Sequence, residues 1–257
     1  MNSDLEESLF IKSIEKGFTV IDLFKTAKGP LSLTEISLLT GVGISAAQRI
    51  TFTLEKLGYL HKDPRSKRYT PGVKTLGVGL TYDRLGHIKD AASIIIKNLS
   101  ESVKENLFLL AQDRSNTINI VNIPDENSKT PIIPPGVEFN MAYSAGGRAI
   151  LSYLPAMDAI SRIFSATRLI QTPKTLTDPK LIISEIEMAY SKGFSLIDGE
   201  IDLETISIGS AILDQSGAPI AAIEITAPRK NWRWRKQREK LGSMVANAAS
   251  KVTQKLR

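Results

Sequence analysis

One stretch limits the possible folds more than any other. Thr34-Glu35-Ile36-Ser37-Leu38-Leu39-Thr40-Gly41-Val42-Gly43-Ile44-Ser45-Ala46-Ala47-Gln48-Arg49-Ile50 reads as two short helices around a glycine turn. At about 100° per residue, the second helix gathers Ala47, Ile50, Leu54 and Leu57 on one side. Ser45, Gln48, Arg49, Phe52 and Lys56 fall on the other. A buried apolar face opposite an arginine, an amide and a hydroxyl suits a helix that reads base edges and phosphates in a major groove.

The flanking segments complete a known docking shape. Residues 8–27 carry apolar positions at three- and four-residue steps, predicting a first helix stopped by Gly29-Pro30. Leu31-Ser32-Leu33-Thr34-Glu35 supplies a hydroxyl cap and then an acid in the first turn of the next helix. After the stop at Gly58, Tyr59–Lys62 and Lys67–Thr70 read as two strands around the turn Asp63-Pro64-Arg65-Ser66. Three helices and a hairpin predict a winged helix-turn-helix. Arg65, Lys67 and Arg68 stand on the wing, where basic groups suit phosphate or minor-groove contacts.

Charge is distributed in the same sense. Residues 1–77 hold 11 Lys+Arg against 8 Asp+Glu, residues 78–227 hold 12 against 18, and residues 228–257 hold 10 against 1. Basic ends around an acidic middle predict a polyanionic partner for the ends alone. The chain has no cysteine and two histidines, which excludes disulfide and thiol chemistry and argues against a histidine-rich metal site. The acidic start Met1–Glu7 does not read as a signal peptide, and no apolar run approaches a membrane span, so a cytoplasmic protein is expected.

Residues 72–102 predict a linker helix, or two, because Gly77, Gly79 and Gly86 oppose one unbroken rod. Strands are predicted at 106–111 and 117–123, then a proline-rich loop from Pro124 to Pro135. Helices follow from Ser144-Ala145-Gly146-Gly147, from Pro155 and over Leu181–Tyr190. Strands at 194–197, 206–213 and 219–226 precede a basic helix from Asn231 to Leu256. Hairpins of strands with helices in blocks indicate an antiparallel α+β domain. The expected division is 1–71 for DNA binding, 72–102 as linker and 103–257 for effector binding and oligomerisation.

Taken together, these segments resemble the IclR-type bacterial transcription regulators over nearly the whole chain. The match begins with Leu33-Thr34-Glu35-Ile36, Thr40-Gly41-Val42, Arg49-Ile50, Leu54, Gly58-Tyr59-Leu60, Asp63-Pro64 and Arg68-Tyr69. It continues through Gly72–Gly77 and then Ala145–Leu151, where the family usually has a Gly-Lys-Ala core. Lys192–Ser195, Asp198-Gly199-Glu200, Ile208–Asp214 and Ala222–Pro228 complete it. The resemblance implies a winged helix-turn-helix, a linker helix and a GAF- or profilin-like sheet domain that binds a small effector. It also implies homodimers, or dimers of dimers, on pseudo-palindromic double-stranded DNA operators, and it calls for no cofactor, no metal and no membrane.

Carried over by position, the DNA-facing residues are Ile44, Ser45, Ala46, Gln48 and Arg49, with Arg65, Lys67 and Arg68 on the wing. Relatives often have threonine where Ala46 stands, which shifts weight onto Gln48 and Arg49. The implied effector residues are Ala145, Gly146 and Gly147, then Thr205 and Ser207, then Glu224 and Thr226. Backbone N–H groups at Gly146-Gly147 suit a ligand carboxylate. Glu224 departs from the small hydroxyl residue frequent there and would repel an organic acid or demand a cationic or hydrogen-bond-donating ligand. Alternatively, Glu224 faces water at the rim or pairs with Arg148. The tail tryptophans Trp232 and Trp234 are expected to pack on the sensor domain, with the basic face meeting the acidic segment or a neighbouring subunit. The competing reading is an enzyme, its dense acidic run Asp198, Glu200, Asp202 and Glu204 holding a divalent cation or merely forming a solvated loop.

Overall fold

The structure, a computed structural model, describes residues 8–85, 87–126, 128–167 and 170–256. The acidic start Met1–Glu7 and Gly86 lie outside the described residues. The chain divides into two compact units, ending and beginning at Leu85 and Gly86.

In the first unit, α1 (Lys12–Asp22) is followed by a 3-10 turn (Leu23–Lys25), α2 (Leu33–Thr40), α3 (Ile44–Lys56), β1 (Leu60–Lys62), β2 (Tyr69–Pro71) and α4 (Lys74–Leu85). The expected helix over 8–27 is interrupted: Ser8 and Leu9 are helical, Phe10 and Ile11 are not, and α1 then ends at Asp22. Its register changes to 3-10 at Leu23, whose carbonyl accepts from Thr26 and Ala27. Ser32 caps α2 in a reciprocal box: its hydroxyl accepts from the Glu35 N–H at 3.2 Å, and the Glu35 carboxylate accepts from the Ser32 N–H at 2.7 Å. Gly41 closes α2 at φ 67°, a conformation in which a Cβ would be strained. Val20, Ile36, Ala47, Leu54, Leu60 and Tyr69 form the core.

The buried stripe of α3 is Ala47, Thr51 and Leu54 rather than one running on to Leu57, which is exposed. Thr51 is admitted because its hydroxyl donates to the Gln48 carbonyl at 3.2 Å. Leu57 lies about 80° from the centre of that stripe on the helical wheel. The wing is tied back through paired backbone bonds between Leu31 and Tyr69, at 3.0 and 2.7 Å.

The second unit comprises α5 (His87–Val103), β3 (Asn106–Asp113), β4 (Asn116–Ile123), β5 (Glu138–Asn140), α6 (Ala145–Leu151), α7 (Ala156–Ser165), α8 (Pro179–Lys192), β6 (Ser195–Asp198), β7 (Thr205–Leu213), β8 (Pro219–Pro228) and α9 (Arg235–Leu256). Its six strands form one antiparallel sheet in the order β5-β4-β3-β8-β7-β6. Alternation along the strands gives the sheet two faces. Leu107, Leu109, Ile208, Ile223 and Ile225 pack beneath α5 and α9, with Ile96, Leu99, Leu241 and Val245. On the other face Ala222 joins Ile150, Leu151, Ile163 and Ile182 from α6, α7 and α8. Each fully buried Leu or Ile contributes about 1.5–3 kcal/mol. A bulge between Leu109 and Leu110 shifts the β3–β4 register from Val121 to Asn119.

Candidate functional site

On α3, Ile44, Ser45, Gln48, Arg49, Phe52 and Lys56 are exposed together, while Ala46 is half-buried beside them. Gly43 precedes the helix with no side-chain cap. Lys56 Nζ lies 5.5 Å from the centroid of the Phe52 ring. Asp63 organises the wing tip by accepting from Arg65 N–H (3.0 Å), Ser66 N–H (2.6 Å) and Ser66 Oγ (2.8 Å). These bonds, those of Ser66 foremost, hold the Asp63 carboxyl below its usual range. Arg65 and Lys67 project from the tip, Lys67 at φ 58°.

Arg68 is placed differently from the expected wing contact. Its Nη1 and Nη2 donate to the Glu35 carboxylate at 3.0 and 2.9 Å, bracing the wing against the α2 capping box. Bonds from Ser32, and then the guanidinium, hold Glu35 below the ordinary carboxylate range. Nothing local signals a pairing across 33 residues.

In the second unit α6 starts against β7 and β8. A Cβ on Gly209 would stand 2.4 Å from the Gly146 nitrogen, so only glycine permits this approach. Gly209 pairs with Glu224, and Ser207 with Thr226. This brings Gly146, Ser207, Glu224 and Thr226 together, with Ser207 Oγ and Thr226 Oγ1 2.9 Å apart. Thr205 stands apart, its hydroxyl donating to the Asp202 carbonyl at 3.1 Å. The Ala145 carbonyl accepts from Ser195 Oγ.

The expected anion cradle is filled from within. Gly146 N–H donates to Glu224 Oε2 at 2.6 Å, and Gly147 N–H to Ser144 Oγ at 3.1 Å. Glu224 is buried, facing neither water nor Arg148. Burial pushes its carboxyl from 4.5 up to about 7, against the opposing pull of the Gly146 N–H and the Ser207 hydroxyl.

The native protein therefore keeps a proton that the unfolded chain loses near pH 4.5. The associated stability is full below that pH and is lost as pH rises through about 7, about 3 kcal/mol at full deprotonation. Urea denaturation of Glu224→Gln across this range is expected to remove the decline; an unchanged slope would locate the titration elsewhere.

Arg148 takes a different partner. It is wholly buried, with Nη1 and Nη2 2.8 and 2.7 Å from the Glu200 carboxylate and Nε 2.8 Å from the Ala142 carbonyl. Glu200 also accepts from the Leu176 N–H at 3.1 Å. Asp198 binds Arg229 (2.6 Å) and Arg238 (2.8 Å), whose combined pull outweighs burial and lowers its pKa. Asp202 caps the Glu204 N–H. The acidic run is thus divided among separate internal contacts, and among the described residues no cluster of His, Cys, Asp or Glu could hold a metal ion.

The tail tryptophans also diverge. Trp232 Nε1 donates to buried Glu105 at 3.0 Å, whereas Trp234 is 70% exposed. Trp232 ends a 3-10 turn (Arg229–Trp232) and is half-buried, whereas Trp234 stands between that turn and α9.

Several residues near the cluster escaped the sequence reading. Asn106 Nδ2 donates to the Thr130 carbonyl and hydroxyl at 3.0 and 2.9 Å, and Thr130 Oγ1 to the Thr226 carbonyl at 3.3 Å. Phe108 lies between Asn122 and Glu224 in the sheet. The visible signal was asparagine inside apolar strands, where it is usually depleted.

A winged helix-turn-helix joined to an antiparallel sheet domain with a buried polar cluster defines a DNA-binding regulator with a sensor domain. The family profiles described as IclR helix-turn-helix domain and Bacterial transcriptional regulator IclR C-terminal match residues 13–64 and 82–254. The chain belongs to the IclR family of bacterial transcriptional regulators. The HTH-type transcriptional regulator KipR of Bacillus subtilis is 29% identical over 83% of this chain and 85% of its own. The crystal structure of an IclR transcriptional regulator from Alicyclobacillus acidocaldarius superposes with TM-score 0.82 at 19% identity, over 96% of this chain and 100% of that one. An IclR homolog from Microbacterium hydrocarbonoxydans, crystallised with 4-hydroxybenzoate, gives TM-score 0.78 at 16% identity, over 95% and 99%. Among the described residues, no helix is long and apolar enough to cross a membrane.

Proposed function

We propose that the protein is an effector-controlled, sequence-specific regulator in which α3 enters the major groove. Ile44, Ser45, Gln48 and Arg49 meet the bases and phosphates, and half-buried Ala46 sets how closely the helix approaches. Arg65 and Lys67 hold the flanking backbone, and Arg68 acts by positioning the wing through Glu35. The observation that carries this reading is the joint exposure of Gln48 and Arg49 opposite a buried stripe on the second helix of the motif.

Residues 1–71 read DNA, residues 72–102 link, and residues 103–257 bind the effector at Gly146, Ser207, Glu224 and Thr226, with Ala145 and Gly147 as supports. The active form is a cytoplasmic homodimer or dimer of dimers on a pseudo-palindromic operator, and the chain carries no catalytic role. The relative crystallised with 4-hydroxybenzoate supports a small-molecule site in this fold.

Selection of duplexes from a random pool tests the DNA reading. One pseudo-palindromic sequence should emerge, its affinity falling about 10³–10⁵-fold between 50 and 200 mM salt if six to ten phosphates are contacted. A pool without enrichment, or binding indifferent to salt, would refute it.

A further inference from the structure

Among the described residues, three buried acceptor oxygens on the sheet face beneath α6 have no hydrogen-bond partner: Gln112 Oε1, Asn119 Oδ1 and Asn122 Oδ1. Asn119 is fully buried, and its Nδ2 is already committed to the Ile133 carbonyl at 2.7 Å, which leaves its oxygen as the open group. All three belong to one face: Asn122 pairs with Phe108 and Asn119 with Leu110, and Gln112 itself continues the Phe108, Leu110 series along β3. The bulge at Leu109/Leu110 is what turns Asn119 to this side, since without it the pleat would present Ile120. Glu224 pairs with Phe108 from the opposite strand, so Asn122 and Glu224 flank one buried aromatic ring.

Native interiors leave few buried polar groups unpaired, and a cluster of one kind indicates the kind of partner that completes it. On the β3–β4 part of this sheet face the open groups are acceptors, the one open donor among the described residues, Arg162 Nη1, belonging to α7. The backbone donor that would hold an acid, Gly146 N–H, is already occupied by Glu224. We infer that the effector is a short solute bearing N–H donors at both ends, a diamine or diamide rather than a carboxylic acid. It spans Phe108 from Asn122 to Glu224. Neighbouring strands about 4.8 Å apart set these two side chains roughly 10 Å apart across Phe108, a span suited to a four-carbon chain with a donor at each end. A dicarboxylate of that length would place oxygen against oxygen at Asn122, and at Glu224 as well once its carboxyl is ionised.

This inference rests on the effector-site reading above, and matched probes separate the two. Calorimetric titration of the full-length protein would use 1,4-diaminobutane, succinamide and succinate, which share a four-carbon skeleton. The diamine or the diamide should bind at least about tenfold more tightly than succinate, about 1.4 kcal/mol. Preference for the diamine identifies a cationic effector, and preference for the diamide a neutral one. Asn122→Leu should abolish the advantage of both, and Glu224→Gln that of the diamine alone. If Asn122→Leu does not fold by circular dichroism, Asn122→Ala at this half-buried position provides the same comparison. Succinate binding as tightly as the donors, or no donor binding at millimolar concentration, overturns the inference. If Ser207→Ala and Asn122→Leu weaken binding while succinate is preferred, the site stands and only the ligand class fails. If neither variant alters binding of any probe, the site itself lies elsewhere, which overturns both.

Discussion

Arg148→Met is expected to lose about 3–5 kcal/mol of stability, because it leaves the Glu200 carboxylate buried without its counter-charge. Arg148 has no exposed surface, and its guanidinium makes two near-parallel bonds to Glu200. That carboxylate in turn holds the Leu176 N–H, and the Glu200 carbonyl accepts from Thr175 Oγ1 at 2.6 Å. One pair therefore fastens α6, the segment before α8 and the turn after β6. Domains of this size are stable by about 5–15 kcal/mol, so a loss of this order lowers the urea midpoint markedly. The double variant Arg148→Met/Glu200→Leu should recover most of it, since both charges are then absent. A single variant within 1 kcal/mol of wild type, about the range of a surface pair, would show that the contact contributes little. Arg148→Lys should fall between, because an ammonium cannot make the bidentate contact.

The second large effect lies in DNA binding. Gln48→Ala and Arg49→Ala should each weaken binding to the selected operator by about 1–3 kcal/mol, roughly tenfold to a hundredfold. Both side chains are exposed, so thermal midpoints should stay near wild type, which separates lost recognition from lost folding. Selection repeated with each variant distinguishes two roles. A base reader relaxes the preference at one position when removed, while a phosphate clamp weakens all sequences alike and lowers the salt slope by about one. Arg68→Ala should act differently again, loosening the wing through the loss of Glu35 rather than through a lost contact of its own. If neither Gln48→Ala nor Arg49→Ala weakens operator binding, α3 is not the reading element.

Much of the first unit was legible because its determinants are local. Ser32, Glu35 and Gly41 act within a few residues of where they stand. The period of α3 was readable in the same way, failing only where Thr51 satisfied its hydroxyl internally and Leu57 drifted off the stripe. In the second unit the alternation of strands and the glycine-led start of α6 gave most elements, but the three-residue β5 was too short to carry a pattern. The exposed Trp234 shows the limit of composition, since an aromatic two residues from a half-buried one need not share its burial.

The chain by itself determined a DNA-reading head, an antiparallel sensor sheet and their family, because caps, stops and periodicities are short-range properties of neighbouring residues. Tertiary structure alone decided that Arg148 turns to Glu200 and not to Glu224, and that Arg68 turns to Glu35. It also decided that Asn119 turns to the same sheet face as Leu110. These outcomes depend on which side chains meet across tens of residues and on a single-residue bulge in the sheet register. Burial and pairing in three dimensions set the energies of charged and polar groups, so neither sequence distance nor residue type could assign them.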